Sequence, residues 1–296
     1  MPRPSPITKD QELDLVAKYV SGVSRNRLAI MFDASRPFVT DCLRRHGVAY
    51  RQHSESCTSQ RLYSLRQDAF ANCETEDVAA YWAGVLMSDG CVSRSLCVIL
   101  TWKYSDVEHL KEFARFLGTD LPIAIVNRES GTDGRLAVTS RSMCRDLAKY
   151  GIVERKAHTA KVSGLEHSRH FWRGVIDGDG WVGEKIQHVR LWPHLTLSGA
   201  QSLVSQFACF AKKIATNSSG KVVRGHGQYN WQFALRGHYA VQVMKHLYRD
   251  GEVSMPRKKA ESDRIVASWP LDLSAQLSKY EIRAAMRSCR TQTEHA

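Results

Sequence analysis

One ten-residue segment occurs twice in this chain of 296 residues, and the duplication limits the possible folds more than any other feature. Residues 81–90 read YWAGVLMSDG and residues 171–180 read FWRGVIDGDG. Both copies follow the pattern aromatic-Trp-x-Gly-Val-aliphatic-x-small-Asp-Gly. Strand-like and helix-like segments then follow each copy in the same order. Similarity at a fixed offset indicates a duplicated structural unit.

Two small residues lie four positions apart in each copy: Gly84 and Ser88 in the first, Gly174 and Gly178 in the second. At helical spacing these residues share one face. A face without bulky side chains lets two backbones approach closely, as small-xxx-small faces do in membranes. The spacing therefore predicts that the two copies form a tight pair of helices.

An aspartate stands before the last glycine of each copy, as Asp89 and Asp179. We expect Gly90 and Gly180 to end the two helices in the left-handed conformation. The carboxylates would then lie at helix C-termini, where the helix dipole is negative, and close packing would bring like charges together. A divalent cation relieves both conflicts. A simple Asp-Gly turn is the alternative for one copy, but two matched copies favour the metal site.

The two segments resemble the LAGLIDADG motifs of homing endonucleases in their single-chain, two-repeat form. The resemblance covers about residues 75–265. It implies an α+β fold in which an αββαββα unit occurs twice and two antiparallel sheets form a saddle over DNA. It also implies that Asp89 and Asp179, the last acidic residue of each motif, are catalytic and bind Mg2+, with two or three divalent ions at the central site. Mn2+ or Ca2+ would substitute in binding.

The first motif departs from the family pattern at Met87, where the family often has aspartate, whereas the second motif keeps Asp177. That earlier position is not the family's metal ligand. Each repeat also closes on a segment that resembles the family's basic segment, at residues 150–156 and 250–259. The resemblance makes Lys156 and Lys258 candidate catalytic residues, since a cation near a phosphate stabilises developing charge. Lysines that form salt bridges or dock phosphate are the alternative.

Polar and apolar residues alternate along several predicted strands, as they do in a sheet with one solvent-facing side. Gln, Asn and Arg can pair bidentately with adenine or guanine. A half-exposed sheet without a ligand would show the same alternation. The candidate DNA-binding residues of the sheets are Lys103, Arg135, His188, Arg190, His194, Arg224, Gln228, Asn230 and Gln232. The residues that alternate with them along the same strands, and so point to the other face of each sheet, are apolar and include Leu136, Val138, Leu191, Leu195, Phe233 and Leu235.

The N-terminal segment predicts three short helices. Ser24 and Ser35 are candidate N-caps of the second and third helices, and Gly47 is a suitable stop. The pattern from Gly22 to Val48 resembles resolvase-type helix-turn-helix modules, in which the last helix reads DNA. That assigns DNA contacts to Arg36, Thr40, Arg44 and Arg45. A small three-helix domain that binds protein is the alternative.

Charge and cysteine content narrow the class of partner. The formal net charge is +12, of which +3 lies in residues 1–56, 0 in residues 57–160 and +9 in residues 161–296. This uneven excess favours a polyanion and a non-palindromic DNA site. The chain shows no apolar run of membrane length and no secretory signal. The eight cysteines form no C-x-x-C pair and are expected to be reduced, and the pair His167 and His170 lacks partners at zinc spacing.

We predict five segments in the chain: a helix-turn-helix domain (1–51), a linker (52–74), the first repeat (75–165), the second repeat (166–268) and a C-terminal helical extension (269–296). The predicted function is site-specific, Mg2+-dependent cleavage of double-stranded DNA by a monomer in the cytoplasm or an organelle, leaving 3′ overhangs. Two alternatives remain: a transcriptional regulator on the same fold that binds DNA without catalysis, and an intron maturase that binds RNA.

Overall fold

The computed structural model describes residues 7–49, 63–129, 131–187, 190–227, 230–249 and 253–269. The chain forms two compact units, Met1–Ser64 and Leu65–Ala296. Two of the predicted DNA-binding residues, His188 and Gln228, lie outside the described residues, as does the predicted C-terminal extension beyond Trp269. The side chain of Arg190 is not described either. No helix in the described ranges is long and apolar enough to cross a membrane.

The first unit contains three helices, each begun by a hydroxyl side chain that accepts a hydrogen bond from the first turn. Thr8, Ser24 and Ser35 are these N-caps, and Thr8 forms a full capping box with Gln11. The helices are α1 (Lys9–Val20), α2 (Arg25–Met31) and α3 (Arg36–Arg45). Their shared core consists of Ile7, Leu15, Tyr19, Leu28, Val39, Cys42 and Leu43.

The second unit begins at Leu65, so the predicted linker over residues 52–74 extends too far along the chain. Phe70 is fully buried and its ring meets that of Phe116 edge to face, with the centroids 5.4 Å apart. Cys73 is also buried, and its backbone N–H donates to the Tyr150 hydroxyl at 3.2 Å. The polar composition of the segment concealed these buried residues, which anchor it to the first repeat.

The αββαββα order occurs twice, as predicted. The first repeat comprises α4 (Asp77–Ser88), β1 (Cys91–Val92), β2 (Cys97–Lys103), α5 (Val107–Phe116), β3 (Ala124–Arg128), β4 (Gly131–Thr139) and α6 (Arg141–Lys149). The second comprises α7 (Arg169–Asp179), β5 (Gly180–Gln187), β6 (Arg190–Gly199), α8 (Gln201–Ile214), β7 (Val222–Arg224), β8 (Trp231–Arg236) and α9 (His238–Tyr248). A final helix, α10 (Pro256–Ser268), follows only the second repeat.

Each repeat forms one four-stranded antiparallel sheet, and the two sheets have corresponding strand orders, β1-β2-β4-β3 and β5-β6-β8-β7. Alternation along the central strands buries one face, as Leu136 and Val138 in β4 and Phe233 and Leu235 in β8 show. On the opposite face of the first sheet Lys103 and Arg135 are exposed to solvent. This is the face on which the sequence places DNA contacts.

Leu191 does not lie in the core as its place in the alternation predicts, because its side chain is 54% exposed. It pairs with Ile186, which is 79% exposed, near the end of the β5–β6 ladder. The pairing of β6 with β8 begins only at His194. The hairpin therefore projects beyond its neighbouring strand, where no core is available to bury an apolar side chain.

The helices α4 and α7 pack against each other through the small residues that the sequence identifies. A Cβ added to Gly84 would lie 2.0 Å from Phe171 O, and one added to Gly174 would lie 2.1 Å from Tyr81 O. A Cβ on Gly178 would lie 2.0 Å from Ser88 Oγ. These distances are far below van der Waals contact, so the two backbones touch where the side chains are missing.

The glycines that follow the two helices do not adopt the left-handed conformation predicted for them. Gly180 has φ −86° and ψ 162°, and Gly90 is not among the glycines of positive φ. The lack of room for a side chain explains why glycine occupies both positions. A Cβ on Gly90 would lie 2.6 Å from Leu86 Cα, and one on Gly180 would lie 2.6 Å from Ile176 O. At both positions the backbone turns back against the helix that it has just left, so only a residue without a side chain fits.

Candidate functional site

The two aspartates that follow the paired helices lie close together. Asp89 is the C-cap of α4 and Asp179 is the last residue of α7, and both are exposed. A Cβ on Gly178, the residue before Asp179, would lie only 3.2 Å from Asp89 Oδ2. The duplicated motif thus delivers one carboxylate from each repeat to the same point on the surface.

One side chain orients Asp89 directly. The indole Nε1 of Trp102 donates to Asp89 Oδ2 at 2.7 Å. Trp102 is the sixth residue of β2 and is 7% exposed, so its ring is fixed by the core of the first repeat. Trp102 is not among the site residues predicted from the sequence, although a tryptophan thirteen positions after Asp89 offers an N–H donor near the motif. Within the described residues, no side chain donates a hydrogen bond to Asp179.

The protein environment disfavours ionisation of both carboxyls. Desolvation by the packed helix ends, together with the negative charge of Asp89, raises the pKa of Asp179 to about 6. Desolvation also raises the pKa of Asp89, although the hydrogen bond from Trp102 and the charges of nearby lysines act in the opposite direction. Two desolvated like charges at negative helix ends attract a cation.

The donor set fits a hard divalent cation. Two carboxylates supply only oxygen ligands, which suit Mg2+, Mn2+ or Ca2+ rather than a softer metal. Mg2+ is commonly held by one or two carboxylates while water and substrate phosphates complete its coordination. The solvent exposure of Asp89 and Asp179 leaves room for such additional ligands. These two residues therefore form the candidate metal centre.

The ionisation of Asp179 predicts an unusual dependence of stability on pH. The folded state holds this proton up to about pH 6, whereas the unfolded chain releases it near 3.8. The resulting stabilisation is complete below 3.8 and is lost as the pH rises through about 6. In EDTA at neutral pH, Asp179→Asn should therefore increase the free energy of unfolding by about 1 kcal/mol, a value reduced because solvent screens this exposed group.

Urea unfolding at pH 4.5 and pH 7.5 measures this effect. The gain from Asp179→Asn should be larger at pH 7.5 than at pH 4.5. Asp263→Asn is the matched control, because Asp263 is an exposed carboxylate of α10 paired with Lys259 at 2.7 Å. A variant at position 179 that is no more stable than the wild type at pH 7.5 would contradict the electrostatic conflict described here.

The two lysines that the family resemblance makes candidate catalytic residues are buried. Lys156 is 7% exposed and Lys258 is 6% exposed. Lys156 Nζ donates to Gly90 O. Lys258 Nζ has four carbonyl oxygens within hydrogen-bonding distance of its three N–H groups, those of Ile176, Asp177, Gly178 and Gly180, at 2.6–3.1 Å. The lysines thus satisfy carbonyl groups that α4 and α7 leave without partners at their C-termini.

Burial lowers the pKa of both lysines, and that of Lys258 falls to about 8. Each lysine occupies the corresponding place in its repeat, because Gly90 and Gly180 follow the two aspartates. Their ammonium groups also oppose the negative ends of the helix dipoles. The arrangement supports a role in fixing the helix ends that carry Asp89 and Asp179, rather than direct contact with a substrate.

An open cavity of about 380 Å3 lies beside Asp179 on the exposed face of the second sheet. Its other lining residues are Trp181, Lys185, Thr196, Ser198 and Gln232. The Trp181 ring is 41% exposed, and Lys185 Nζ lies 5.1 Å from its centroid. Gln232 was among the predicted DNA contacts, whereas Trp181 and Lys185 were not, although both follow the second motif directly.

His194 is not available at the surface in the way that the strand alternation predicts. Its side chain is 5% exposed, and the Trp181 ring lies against it with a centroid separation of 6.2 Å. Trp181 reaches this position by crossing Gly183, where a Cβ would be 2.7 Å from the indole. Burial, with the charges of Lys185 and Arg236, lowers the pKa of His194 to about 4. His194 therefore supports the floor of the cavity as a neutral ring.

The remaining predicted contacts differ in how accessible they are. Lys103 and Arg135 are exposed on the open face of the first sheet. Arg224 is also exposed, but it pairs with Trp231 on the face of the second sheet that buries Phe233, and Asn230 is partly buried. In the first unit Arg36 is exposed, whereas Thr40 Oγ1 donates to Arg36 O at 3.0 Å. Arg44 pairs with Asp41 and Arg45 pairs with Glu12, each at 2.9 Å. The ion pair of Arg45 joins α3 to α1 and competes with any contact to phosphate.

A second group of potential metal ligands is already occupied by protein contacts. Glu12, Cys42 and His46 have ligand atoms within 4.8 Å of one another, the single such group of three in the described part of the chain. Glu12 accepts from Arg45 at 2.9 Å and contacts His46 at 3.3 Å. The guanidinium group supplies the positive charge that a metal ion would provide, so this cluster is a structural ion pair.

The pair of histidines at positions 167 and 170 is likewise accounted for by protein contacts. His170 Nε2 lies 3.2 Å from Asp77 Oδ2, and its Nδ1 lies 3.0 Å from Arg173 Nη2. His167 lines a separate cavity against α8, next to Phe210 and Lys213. The two imidazole rings contact different residues and do not face a common point where a metal ion could bind.

No protein-family model matches the chain, and no curated protein matches its sequence. Several solved structures are similar to it. LAGLIDADG meganuclease I-AabMI bound to uncleaved DNA is 11% identical, with a TM-score of 0.46 over 65% of this chain and 90% of that chain. LAGLIDADG homing endonuclease I-LtrWI bound to target DNA is 10% identical, with a TM-score of 0.44 over 70% and 96%.

Full-length DUF199/WhiA from Thermatoga maritima is 13% identical, with a TM-score of 0.41 over 76% of this chain and 75% of that chain. Within the chain itself, the αββαββα unit occurs twice and brings its two motif helices into contact. The chain is similar to these solved structures of LAGLIDADG homing endonucleases and of WhiA.

Proposed function

We propose that this chain is a site-specific endonuclease that cleaves double-stranded DNA with divalent metal ions, Mg2+ in the first place. One observation carries the proposal: α4 and α7 bring Asp89 and Asp179 to one exposed point, where desolvation raises the pKa of both carboxyls. Chemistry that uses a metal ion at a phosphodiester explains why a protein would keep this unfavourable pair.

The residues around the pair have separable roles in this proposal. Asp89 and Asp179 would hold the divalent ions, and the chemistry that such ions would supply at a phosphodiester is activation of water and stabilisation of the leaving oxygen. Trp102 fixes the direction of the Asp89 carboxylate through its 2.7 Å hydrogen bond. Lys156 and Lys258 act as positioning residues, because their ammonium groups hold the carbonyl oxygens at the ends of α4 and α7.

The open faces of the two sheets would bind the DNA on either side of the carboxylates, together forming the saddle. Lys103 and Arg135 on the first sheet and Lys185 on the second offer cations to phosphates or to base edges. The cavity beside Asp179 adds the amide of Gln232, and amides recognise adenine. Since the two faces differ in sequence, the proposed target is asymmetric and the functional form is a monomer.

The first unit would extend the target through its third helix. Arg36 and Arg44 are exposed on α3 and face solvent as phosphate contacts require. Because the whole chain has a net charge of +12, its affinity for DNA should depend strongly on salt concentration. Binding by the first unit then contributes affinity and target length, whereas cleavage depends on the aspartates of the second unit.

A selection for cleaved molecules from a library of randomised DNA duplexes tests the proposal. The full-length protein is incubated with the library in Mg2+, and new ends are captured and sequenced. The matched control is the double variant Asp89→Asn with Asp179→Asn, which keeps the fold and the basic faces. We expect the wild type alone to enrich one long asymmetric sequence whose ends carry 3′ overhangs.

The same library distinguishes the other two functions. Enrichment of a DNA sequence by binding, with no metal-dependent ends in Mg2+ or Mn2+, would identify a regulator that binds DNA without cutting it. Preference for structured RNA over duplex DNA of equal length would identify a maturase. Either result would overturn the endonuclease assignment.

A further inference from the structure

We propose that Asp177 is a positioning residue whose buried carboxylate fixes the turn at Met255, so that Lys258 holds the end of the helix that carries Asp179. The inference deepens the proposed function and rests on it. The sequence motif marks Asp177 only as a residue that the first repeat replaces with Met87. Its contacts show what the second repeat gains from it.

The Asp177 carboxylate is 1% exposed and accepts hydrogen bonds from three donors. Tyr248 OH donates to Oδ1 at 2.6 Å, whereas Tyr81 OH and the Met255 backbone N–H donate to Oδ2 at 2.8 and 2.7 Å. The donors come from α9, from α4 of the other repeat, and from the residue that begins α10. One carboxylate therefore joins three separate segments behind the motif helix.

The contact with Met255 leads directly to Lys258. Met255 is the N-cap of α10, and its carbonyl oxygen accepts the backbone N–H of Lys258 at 3.1 Å. The direction of the first turn of α10 thus depends on how Met255 is held. From that turn Lys258 Nζ reaches Gly178 O at 3.1 Å and Gly180 O at 2.6 Å, the carbonyls on either side of Asp179.

Arg173 reinforces the same connection from one helical turn earlier. It is 2% exposed, and its guanidinium donates to Leu247 O at 2.9 Å and to Val253 O at 3.1 Å. The guanidinium carbon also lies 5.5 Å from the centroid of the Tyr81 ring. Arg173 and Asp177 therefore hold the ends of α9 and the beginning of α10 from the same side of α7.

Among the residues that the structure describes, the first repeat shows no equivalent connection. Met87 is buried but its side chain cannot accept strong hydrogen bonds, and Lys156 begins a short 3-10 turn (Lys156–His158) instead of a helix. Asp89 is instead oriented by Trp102. The two carboxylates thus each have a lysine at the helix end but differ in the rest: Asp89 has the direct donor Trp102, and Asp179 depends on Asp177 and Met255, which place Lys258.

The substitution that tests this connection is Asp177→Asn, which keeps the shape but turns one acceptor oxygen into an NH2 group facing donors. Lys258→Met and the double variant complete a double-mutant cycle. Lys111→Gln is the control, because Lys111 is exposed on α5 and pairs only with Glu108 among its described contacts. Thermal unfolding of every variant measures the purely structural effect.

The first readout is Tb3+ luminescence sensitised by tryptophan, in the full-length protein without DNA. Trp102 contacts Asp89 and Trp181 lies two residues after Asp179, so Tb3+ at the pair accepts energy from either indole. We expect Asp177→Asn and Lys258→Met each to weaken Tb3+ binding at least fivefold. The double variant should be no weaker than the worse single variant, and Lys111→Gln should match the wild type.

The second readout is the rate of cleavage of each strand of the selected duplex. Because the connection through Met255 and Lys258 ends at the carbonyls beside Asp179, Asp177→Asn should slow one strand at least tenfold and the other less than threefold, so that nicked DNA accumulates. DNA affinity should stay within threefold of the wild type. A variant with a lower Tm but unchanged Tb3+ affinity and unchanged strand ratio would leave Asp177 with a structural role only and overturn the inference.

The two readouts separate this inference from the proposed function. If the wild type binds Tb3+ but cuts no DNA, the endonuclease assignment is wrong. The Tb3+ affinities of Asp177→Asn, Lys258→Met and the double variant still test the role of Asp177 in that case. A wild type without sensitised luminescence overturns the inference, because Asp179 would then not hold a cation in the arrangement described. Additive losses in the double variant would also overturn it, since they would show that Asp177 and Lys258 act independently.

Discussion

We expect Asp89→Asn and Asp179→Asn each to lower the rate of double-strand cleavage at least about a thousandfold, equivalent to ~4 kcal/mol of transition-state stabilisation. Asparagine keeps the size of each side chain but removes the negative charge that would hold a divalent ion. Both positions are exposed, so the substitutions leave the core unchanged. The loss should therefore appear in cleavage and not in folding.

The measurement is cleavage of the selected duplex in Mg2+, alongside DNA affinity by fluorescence anisotropy in Ca2+. Affinity should stay within about threefold, because the cations of the sheets remain. Asp263→Asn, at an exposed ion pair on α10, serves as the control and should cut normally. Normal double-strand cleavage by either motif variant would remove the assigned metal centre.

The second large effect concerns the contact between the two motif helices. Gly174→Val should lower the free energy of unfolding by at least about 3 kcal/mol, because even its Cβ would lie 2.1 Å from Tyr81 O and 2.8 Å from Val85 N. These partners are backbone atoms, so no side-chain movement can relieve the overlap. The helices must separate, which exposes the centre of the second unit.

Thermal unfolding checks this prediction, and a decrease of about 10 °C in Tm or a failure to fold is expected. Ser205→Val is the matched control, since Ser205 is exposed on α8 and the change costs only helix propensity, about 0.5 kcal/mol or less. The opposite result, an unchanged Tm for Gly174→Val, would show that the helices are not in backbone contact.

The sequence predicted the parts of the site that repetition marks. The spacing of Gly84 and Gly174 predicted a close helix pair, and the structure brings backbone atoms into contact at both residues. The reason is that glycines at helical spacing are visible in the sequence, and on a helix face their main effect is to let a second backbone approach closely. The conformation of Gly90 and Gly180 was predicted wrongly, because a shortage of space and a positive φ select the same residue.

Residues far apart in sequence were placed less successfully. Trp102, which orients Asp89, belongs to a strand, and the sequence does not show that its indole points back to the motif. Lys258 was identified as a basic residue of the site, but its burial against four carbonyl oxygens depends on the position of α10. His194 has the polarity of a surface residue and is covered by Trp181.

The sequence by itself determined the duplication and the two carboxylates, because both are visible in a repeated local pattern, and the family resemblance of that pattern implied the αββαββα order. Only the tertiary structure decided how those carboxylates are held. Asp177 and Met255 are 78 positions apart, and Tyr81 and Asp177 are 96 apart. A buried hydrogen bond over such separations depends on the packing of whole elements, which local residue patterns do not specify.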